Sequence, residues 1–92
     1  MARQAGIFRN QSFHIKAPSA KKVMLVGDFT NWQQQAIPMK RGNDGMWRTT
    51  LGLGPGTHNY LFIVDGAWCD DPECPVRVPN PFGGENMVRV VS

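Results

Sequence analysis

The sequence predicts an all-β fold, an antiparallel β-sandwich of about six to eight short strands. Short stretches of alternating apolar and polar residues recur along the chain, with turn-forming residues about every eight to twelve positions. Ten glycines and seven prolines interrupt every window that could otherwise form a helix. A hydrophobic content of 41% and a charged content of 18% are typical of a folded globular chain rather than a disordered one.

The length predicts a single domain over 1–92, with residues 1–11 as a flexible N-terminal arm. A chain of this size buries roughly two-thirds of its unfolded surface, which is enough for a core without metals or disulfides. No signal-peptide pattern and no membrane-spanning apolar run is present, so we expect a cytoplasmic protein without membrane contacts. Two free thiols are the preferred interpretation of Cys69 and Cys74. A disulfide between them is sterically possible but would close so short a loop that it gains little, and neither cysteine has zinc-motif spacing to a histidine.

Strands other than the central hairpin are predicted at 12–17, 22–28, 39–41, 46–53 and 85–91. Trp47 lies in the middle of a strand and is therefore predicted in the core. Asn31 favours a turn, which leaves Trp32 either exposed in a loop or folded inward over the core. Four prolines between Pro72 and Pro81 predict that residues 71–84 form an extended crossing with few backbone hydrogen bonds.

The hairpin at 58–72 has the clearest pattern in the chain. Tyr60, Phe62 and Val64 alternate with Leu61 and Ile63, so we expect the first three to face the core and the other two to face outward.

The Asp65-Gly66 dipeptide that follows predicts a tight two-residue turn, because both residues tolerate positive φ. The returning strand then places Trp68 at the rim of the hairpin, where a side chain remains accessible. Asp71-Pro72 ends this strand, since proline has no N–H for the next rung of the ladder.

Catalytic, cofactor-binding and metal-binding motifs are missing from the sequence, so we expect a binding protein that is not an enzyme and needs no cofactor. The carboxylates lie mostly in turns, and Asp70-Asp71 is interpreted as a turn cap rather than an acid pair. The net charge is +3, but the basic residues are scattered and form no stripe. Binding to nucleic acid is therefore not expected.

Two of the three tryptophans, Trp32 and Trp68, lie where strands meet loops. An exposed indole offers a rigid apolar face with one N–H donor, which matches the apolar C–H face of a pyranose ring. Nearby amides can both donate and accept hydrogen bonds to the sugar hydroxyls. The amide side chains in question are Asn31, Gln33 to Gln35 and Asn86.

Three motifs, VMLVGDFTNW, THNYLFIVDGAWCDDP and GGENMVRVV, resemble the glycogen-binding domain of AMP-activated protein kinase β-subunits. More broadly they resemble the family 48 carbohydrate-binding modules and the N-terminal domains of isoamylases and glycogen-branching enzymes. The resemblance covers about residues 13–91. It implies an immunoglobulin-like sandwich of the early-set type, and a glycogen- or starch-binding function.

The same resemblance implies a set of site residues. Trp32 and Trp68 match two tryptophans that stack on the glucan, and Asn86 matches an asparagine that binds glucose hydroxyls. Phe82 stands where the family has a leucine that inserts against the sugar chain.

Two positions depart from the family pattern. Leu61 replaces a glucan-binding lysine, and Gly84 falls near an expected threonine. The first change removes a charge-assisted hydrogen bond, which is worth roughly 1.5–3 kcal/mol where it is fully formed. We therefore expect weaker affinity or an altered glucan preference.

A second hypothesis uses the same fold differently. If Leu61 and Ile63 point outward beside the two indoles, they form an apolar patch that fits a protein partner or a second copy of the chain. The α-glucan hypothesis is the preferred one of the two.

Overall fold

The computed structural model describes residues 8–81 and 83–92, and within them the fold is all-β with two antiparallel sheets. The strands are β1 Arg9–Lys16, β2 Val23–Gly27, β3 Ile37–Pro38, β4 Lys40–Arg41, β5 Met46–Leu53, β6 Gly56–Val64, β7 Ala67–Cys69, β8 Arg77–Pro79 and β9 Glu85–Val91. Two short 3-10 turns, Asp28–Thr30 and Trp32–Gln35, follow β2. The predicted sandwich is confirmed.

One sheet has three strands in the order β1-β5-β4, and the other has the order β3-β2-β6-β9-β8, with β7 also paired to β6. The nine described strands exceed the predicted number because β3 and β8 were missed. Both are short, both contain a proline, and both lie at the outer edges of the larger sheet, where a missing N–H is tolerated. The segment 71–84 is thus not only a crossing, since it contributes β8.

The start of the chain departs from its prediction in part. Strand β1 begins at Arg9, so residues 9–11 belong to a strand that pairs with β5 rather than to an N-terminal arm. Of the rest of the predicted arm, Phe8 is exposed and precedes the strand, and residues 1–7 lie outside the described residues.

The core lies between the two sheets and is dominated by aromatic rings. Phe13 of β1 packs edge-on against Tyr60 of β6, with ring centroids 4.9 Å apart, and this contact joins the two sheets. Phe62 and Met87 are fully buried beside them. Trp47 is buried as predicted, with 7% of its surface exposed.

The central hairpin forms at the predicted turn. Asp65 and Gly66 both have positive φ, at 48° and 86°, which is the conformation that a tight hairpin turn requires. The Asp65 carboxylate also accepts hydrogen bonds from the backbone N–H groups of Lys21 and Lys22, at 2.8 and 2.9 Å. The turn is therefore fixed to the segment that precedes β2.

The predicted exposure of Leu61 is wrong. Leu61 is 7% exposed. Ile63, which lies on the same face of β6, is half-buried. Strand β6 lies in the interior of the larger sheet, and Trp68 lies opposite Ile63 in the ladder, so its ring shares the face of Leu61. Because Trp32 also packs on this side, Leu61 is covered, and Trp68 is the most exposed side chain of the apolar patch that the second hypothesis requires.

Candidate functional site

A groove of about 680 Å³ lies on the face of the larger sheet that points away from the core. Its walls come from the turn after β2, from the β6–β7 hairpin and from the loop that leads into β9. The lining residues are Trp32, Gln33, Leu61, Trp68, Asp70, Asn80, Pro81, Gly84, Glu85 and Asn86.

Trp68 is held at the rim of the groove by the hairpin. It lies in β7 opposite Ile63, and the tight turn at Asp65-Gly66 fixes the register of this pair. Its side chain is 49% exposed, which is unusual for so large an apolar residue. Trp68 therefore presents a broad apolar surface to solvent from a rigid element.

Trp32 reaches the groove through an unusual backbone conformation. Asn31 and Trp32 both have positive φ, at 52° and 56°, a region that bulky residues rarely occupy. The Thr30 hydroxyl lies 2.8 Å from the Trp32 carbonyl and accepts a hydrogen bond from the Gly27 N–H at 2.9 Å. Backbone strain of this kind is found at sites where the surrounding structure enforces it, often for function.

Trp32 was predicted either to be exposed in a loop or to fold inward over the core, and its side chain does part of each. The side chain is half-buried and packs against the core cluster, yet it also lines the groove. Because the ring is already held by its packing against the core, little side-chain entropy is lost when a ligand binds to it.

Asn86 is the buried polar residue of the groove, with 9% of its surface exposed. Its Oδ1 accepts a hydrogen bond from Asn80 Nδ2 at 3.2 Å. Asn80 is in turn tied to Gly84, because its backbone N–H donates to the Gly84 carbonyl at 2.9 Å and its Oδ1 accepts from the Gly84 N–H at 3.1 Å. The loop before β9 thus orients the Asn86 amide.

A buried hydrogen bond between Tyr60 and Asp71 stabilises the hairpin on its core side. The Tyr60 hydroxyl donates to Asp71 Oδ2 at 2.7 Å, and Asp71 Oδ1 accepts from the Glu73 N–H at 3.0 Å, which confirms Asp71 as a turn cap. Burial of the phenol, reinforced by its hydrogen bond to Asp71, raises the pKa of Tyr60 far above its usual value. This contact ties β6 to the loop that follows Trp68.

The structure brings together four of the five residues that the sequence nominated: Trp32, Leu61, Trp68 and Asn86 all line the groove. Phe82 lies outside the described residues. The roles of all five in binding stay predictions.

Sequence reasoning missed other lining residues, among them Asp70, Asn80 and Glu85. A signal was available for two of them. Asp70 lies two positions after Trp68, and Glu85 immediately precedes Asn86.

Metal and membrane sites are not indicated by the described residues. In 8–81 and 83–92, no three His, Cys, Asp or Glu side chains are grouped so that they could hold a metal ion. The same part of the chain contains no helix long and apolar enough to cross a membrane. Cys69 and Cys74 are free thiols, and the Cys74 Sγ lies 3.3 Å from the Val76 carbonyl.

Known proteins share this sequence pattern. The chain is 41% identical over 70 residues to 5'-AMP-activated protein kinase subunit beta-1 of Sus scrofa, which is 76% of this chain and 55% of that protein. It is 38% identical over 74 residues to Protein PTST homolog 2, chloroplastic, of Arabidopsis thaliana, covering 80% of this chain and 13% of that one. Over 79 residues it is 37% identical to the 1,4-alpha-glucan branching enzyme GlgB of Synechococcus sp. (strain JA-3-3Ab), covering 84% and 10% respectively.

The chain spans between 10% and 55% of the length of these relatives, so the similarity concerns a domain within longer proteins. A family model covers nearly all of the present chain. That model is described as the glycogen recognition site of AMP-activated protein kinase, and it matches residues 12–92. The chain therefore belongs to this family of glycogen recognition domains, as its motifs predicted.

Proposed function

We propose that this domain is a non-catalytic module that binds α-1,4-glucan chains by stacking glucose rings on Trp32 and Trp68. The observation that carries the proposal is that the two indoles and Asn86, which come from three separate segments, line one open groove. Apolar ring surface combined with a few oriented polar groups is the usual composition of a small-molecule site. The apolar C–H faces of successive glucose units match the indole faces.

Polar recognition would come from the amide side chains in the groove. Asn86 is buried and oriented by Asn80, and Gln33 lies beside Trp32. An amide can donate to one sugar hydroxyl and accept from another, which suits an uncharged polyol. Leu61 adds buried apolar surface in place of a cation, so we expect a modest affinity without a charge-assisted hydrogen bond from this position.

The absence of catalysis is also part of the proposal. Of the two carboxylates that line the groove, Asp70 is half-exposed and forms an ion pair with Arg77 at 2.9 Å, while Glu85 is exposed. A glycoside-cleaving acid would instead be placed in an apolar pocket that keeps it protonated. These surroundings favour binding over hydrolysis.

Titration with maltoheptaose, followed by calorimetry and tryptophan fluorescence, tests the proposal. Replacement of Trp68 by alanine is expected to weaken binding by at least roughly tenfold, because it removes an aromatic anchor. Phe8→Ala is the matched control, since Phe8 is also an exposed aromatic residue but does not line the groove. Equal affinity of the unchanged chain and Trp68→Ala would overturn the proposal.

A protein interface on Leu61 and Ile63 is not proposed, because Leu61 is buried. The cytoplasmic location stays a prediction, since some relatives of this chain are named as chloroplastic proteins.

A further inference from the structure

The formal charge in the groove is entirely negative among the described residues. Asp70 and Glu85 line it, and no lysine, arginine or histidine is among the described lining residues. The chain as a whole has a net charge of +3, so the groove is opposite in sign to the rest of the molecule. This local reversal bears on which glucans the groove can accept.

The two carboxylates flank the binding residues. Asp70 follows β7, which carries Trp68, and Glu85 is the first residue of β9, immediately before Asn86. A glucan that contacts Trp68 and Asn86 would therefore pass both carboxylates.

The two carboxylates differ in their partners. Asp70 is paired with Arg77, whose Nη1 lies 2.9 Å from Asp70 Oδ2, so its charge is partly compensated. Glu85 forms no ion pair with any residue in 8–81 or 83–92. Glu85 is therefore the less compensated charge of the two.

Inside the groove, the nearby charges matter more than the net charge of the whole chain. At physiological ionic strength, charges more than about 8 Å apart are largely screened, so lysines and arginines farther than this from the groove contribute little inside it. Arg77 is nearer, but it is already paired with Asp70, so the Glu85 charge remains without a partner. A phosphate monoester carries a charge of about −1.5 to −2 at neutral pH. A phosphate on a bound glucose would meet the two carboxylates without a lining cation to pair with it.

We propose that the groove selects uncharged glucan over phosphorylated glucan, with Asp70 and Glu85 as the specificity-determining residues. The inference rests on the proposed function, because it requires that glucan binds in this groove. Sugar hydroxyls behave in the opposite way to a phosphate, since they donate hydrogen bonds to carboxylates, and such charge-assisted bonds are stronger than neutral ones. The same two side chains would thus attract a neutral glucan and repel an anionic one.

The test uses three ligands that separate charge from size: maltoheptaose, maltoheptaose with one 6-phosphate, and maltoheptaose with one neutral 6-O-methyl group. We expect the phosphorylated ligand to bind roughly fivefold to tenfold more weakly than the methylated ligand at low salt. The difference should shrink when the salt concentration rises, because screening weakens repulsion but leaves steric exclusion unchanged.

Variants assign the effect to residues. Glu85→Gln keeps the size of the side chain and should reduce the phosphate penalty by roughly twofold to threefold. Asp70→Asn should reduce it by a similar factor, because it removes one negative charge and leaves the Arg77 cation without its partner. Glu73→Gln is the control, because Glu73 is an exposed carboxylate that pairs with His14 and does not line the groove.

The outcomes distinguish this inference from the proposed function. Binding of maltoheptaose with equal affinity for the phosphorylated and methylated ligands would overturn the charge selection and leave the glucan site intact. A phosphate penalty that persists unchanged in Glu85→Gln and Asp70→Asn would also overturn it. Failure of all three ligands to bind would overturn both proposals.

Discussion

Two depressions on the surface of this domain are similar in size and differ in chemistry. One, of about 520 Å³, is lined by Pro18 and residues 41–45, and the other is the groove of about 680 Å³. In the first, the Arg41 guanidinium donates to the Pro18 and Ala20 carbonyls at 3.3 Å. Asp44 Oδ1 accepts a hydrogen bond from the Met46 N–H at 3.0 Å. Polar groups of the first depression therefore satisfy one another.

Trp47 lies behind the first depression, where the Arg41 guanidinium is 5.8 Å from its ring centroid, and Trp68 lines the groove. Trp47 is 7% exposed, and its indole N–H donates to the Ala17 carbonyl at 2.9 Å, so both its ring and its polar atom are used within the fold. Trp68 is 49% exposed and lines the groove. Concavity alone thus does not mark a site. The groove is distinguished by apolar ring surface that folding leaves in contact with water.

The largest expected effect separates the two tryptophans by stability. Trp47→Ala should reduce the free energy of unfolding by roughly 3–5 kcal/mol, because it leaves a cavity in the core. Urea denaturation measures the loss, and glucan affinity of the remaining folded fraction should be unchanged. Trp47→Phe is the milder control, since it keeps an aromatic ring and removes the hydrogen bond to Ala17. A loss below about 1 kcal/mol in Trp47→Ala would contradict the assignment of Trp47 to the core.

The second effect concerns the buried hydrogen bond between Tyr60 and Asp71. Tyr60→Phe leaves the Asp71 carboxylate without its phenol donor and should cost about 1–3 kcal/mol of stability.

The same contact predicts a pH dependence. The raised pKa keeps Tyr60 protonated in the folded state, whereas an unfolded tyrosine loses its proton near pH 10. Its contribution is therefore complete below about pH 10 and is lost as the pH rises further. Denaturation between pH 8 and about pH 11 should show a shallower decline in Tyr60→Phe than in the unchanged chain. Parallel curves for the two proteins would contradict this role.

Local patterns predicted the hairpin well because its determinants are local. The alternation of residues 60–64 and the Asp65-Gly66 turn specify a strand and its reversal without reference to the rest of the chain. The orientation of Leu61 was also read correctly as opposite to Tyr60. Alternation does not say whether the second face of a strand is covered, however, and here Trp32 and Trp68 cover it.

The groove itself could not be predicted from spacing. Trp32, Trp68 and Asn86 converge because β2 and β9 both lie beside β6 in the larger sheet, and strand order is a non-local property. The resemblance to a known family nominated these residues, whereas their chain positions alone did not. Asp70 and Glu85 were missed because isolated carboxylates beside prolines and glycines are usually turn residues.

The third effect is the counterpart of the first. Trp68→Ala should change the free energy of unfolding by less than about 1 kcal/mol, because half of the side chain is already exposed in the folded state. Thermal denaturation beside Trp47→Ala gives the direct comparison. A destabilisation as large as that of Trp47→Ala would show that Trp68 serves the core rather than a ligand, and it would remove the basis for distinguishing the two tryptophans.

The smallest expected effect is on the pKa of Asp44, which lines the first depression. The hydrogen bond from Arg48, followed by the one from the Met46 N–H, lowers the pKa of Asp44 from 3.8 to about 2. Because the folded pKa is depressed, any stability from this carboxylate is present above about pH 4 and is lost as the pH falls toward 2. Arg48→Gln should move the pKa of Asp44 only part of the way back, since the Met46 bond remains. Carboxyl NMR titration measures the shift, with Arg77→Gln as a control that should leave the pKa of Asp44 unchanged.

Glucan affinity should be the same in Arg48→Gln as in the unchanged chain. A loss of affinity there would contradict the separation of the two depressions, because it would connect the turn to the groove.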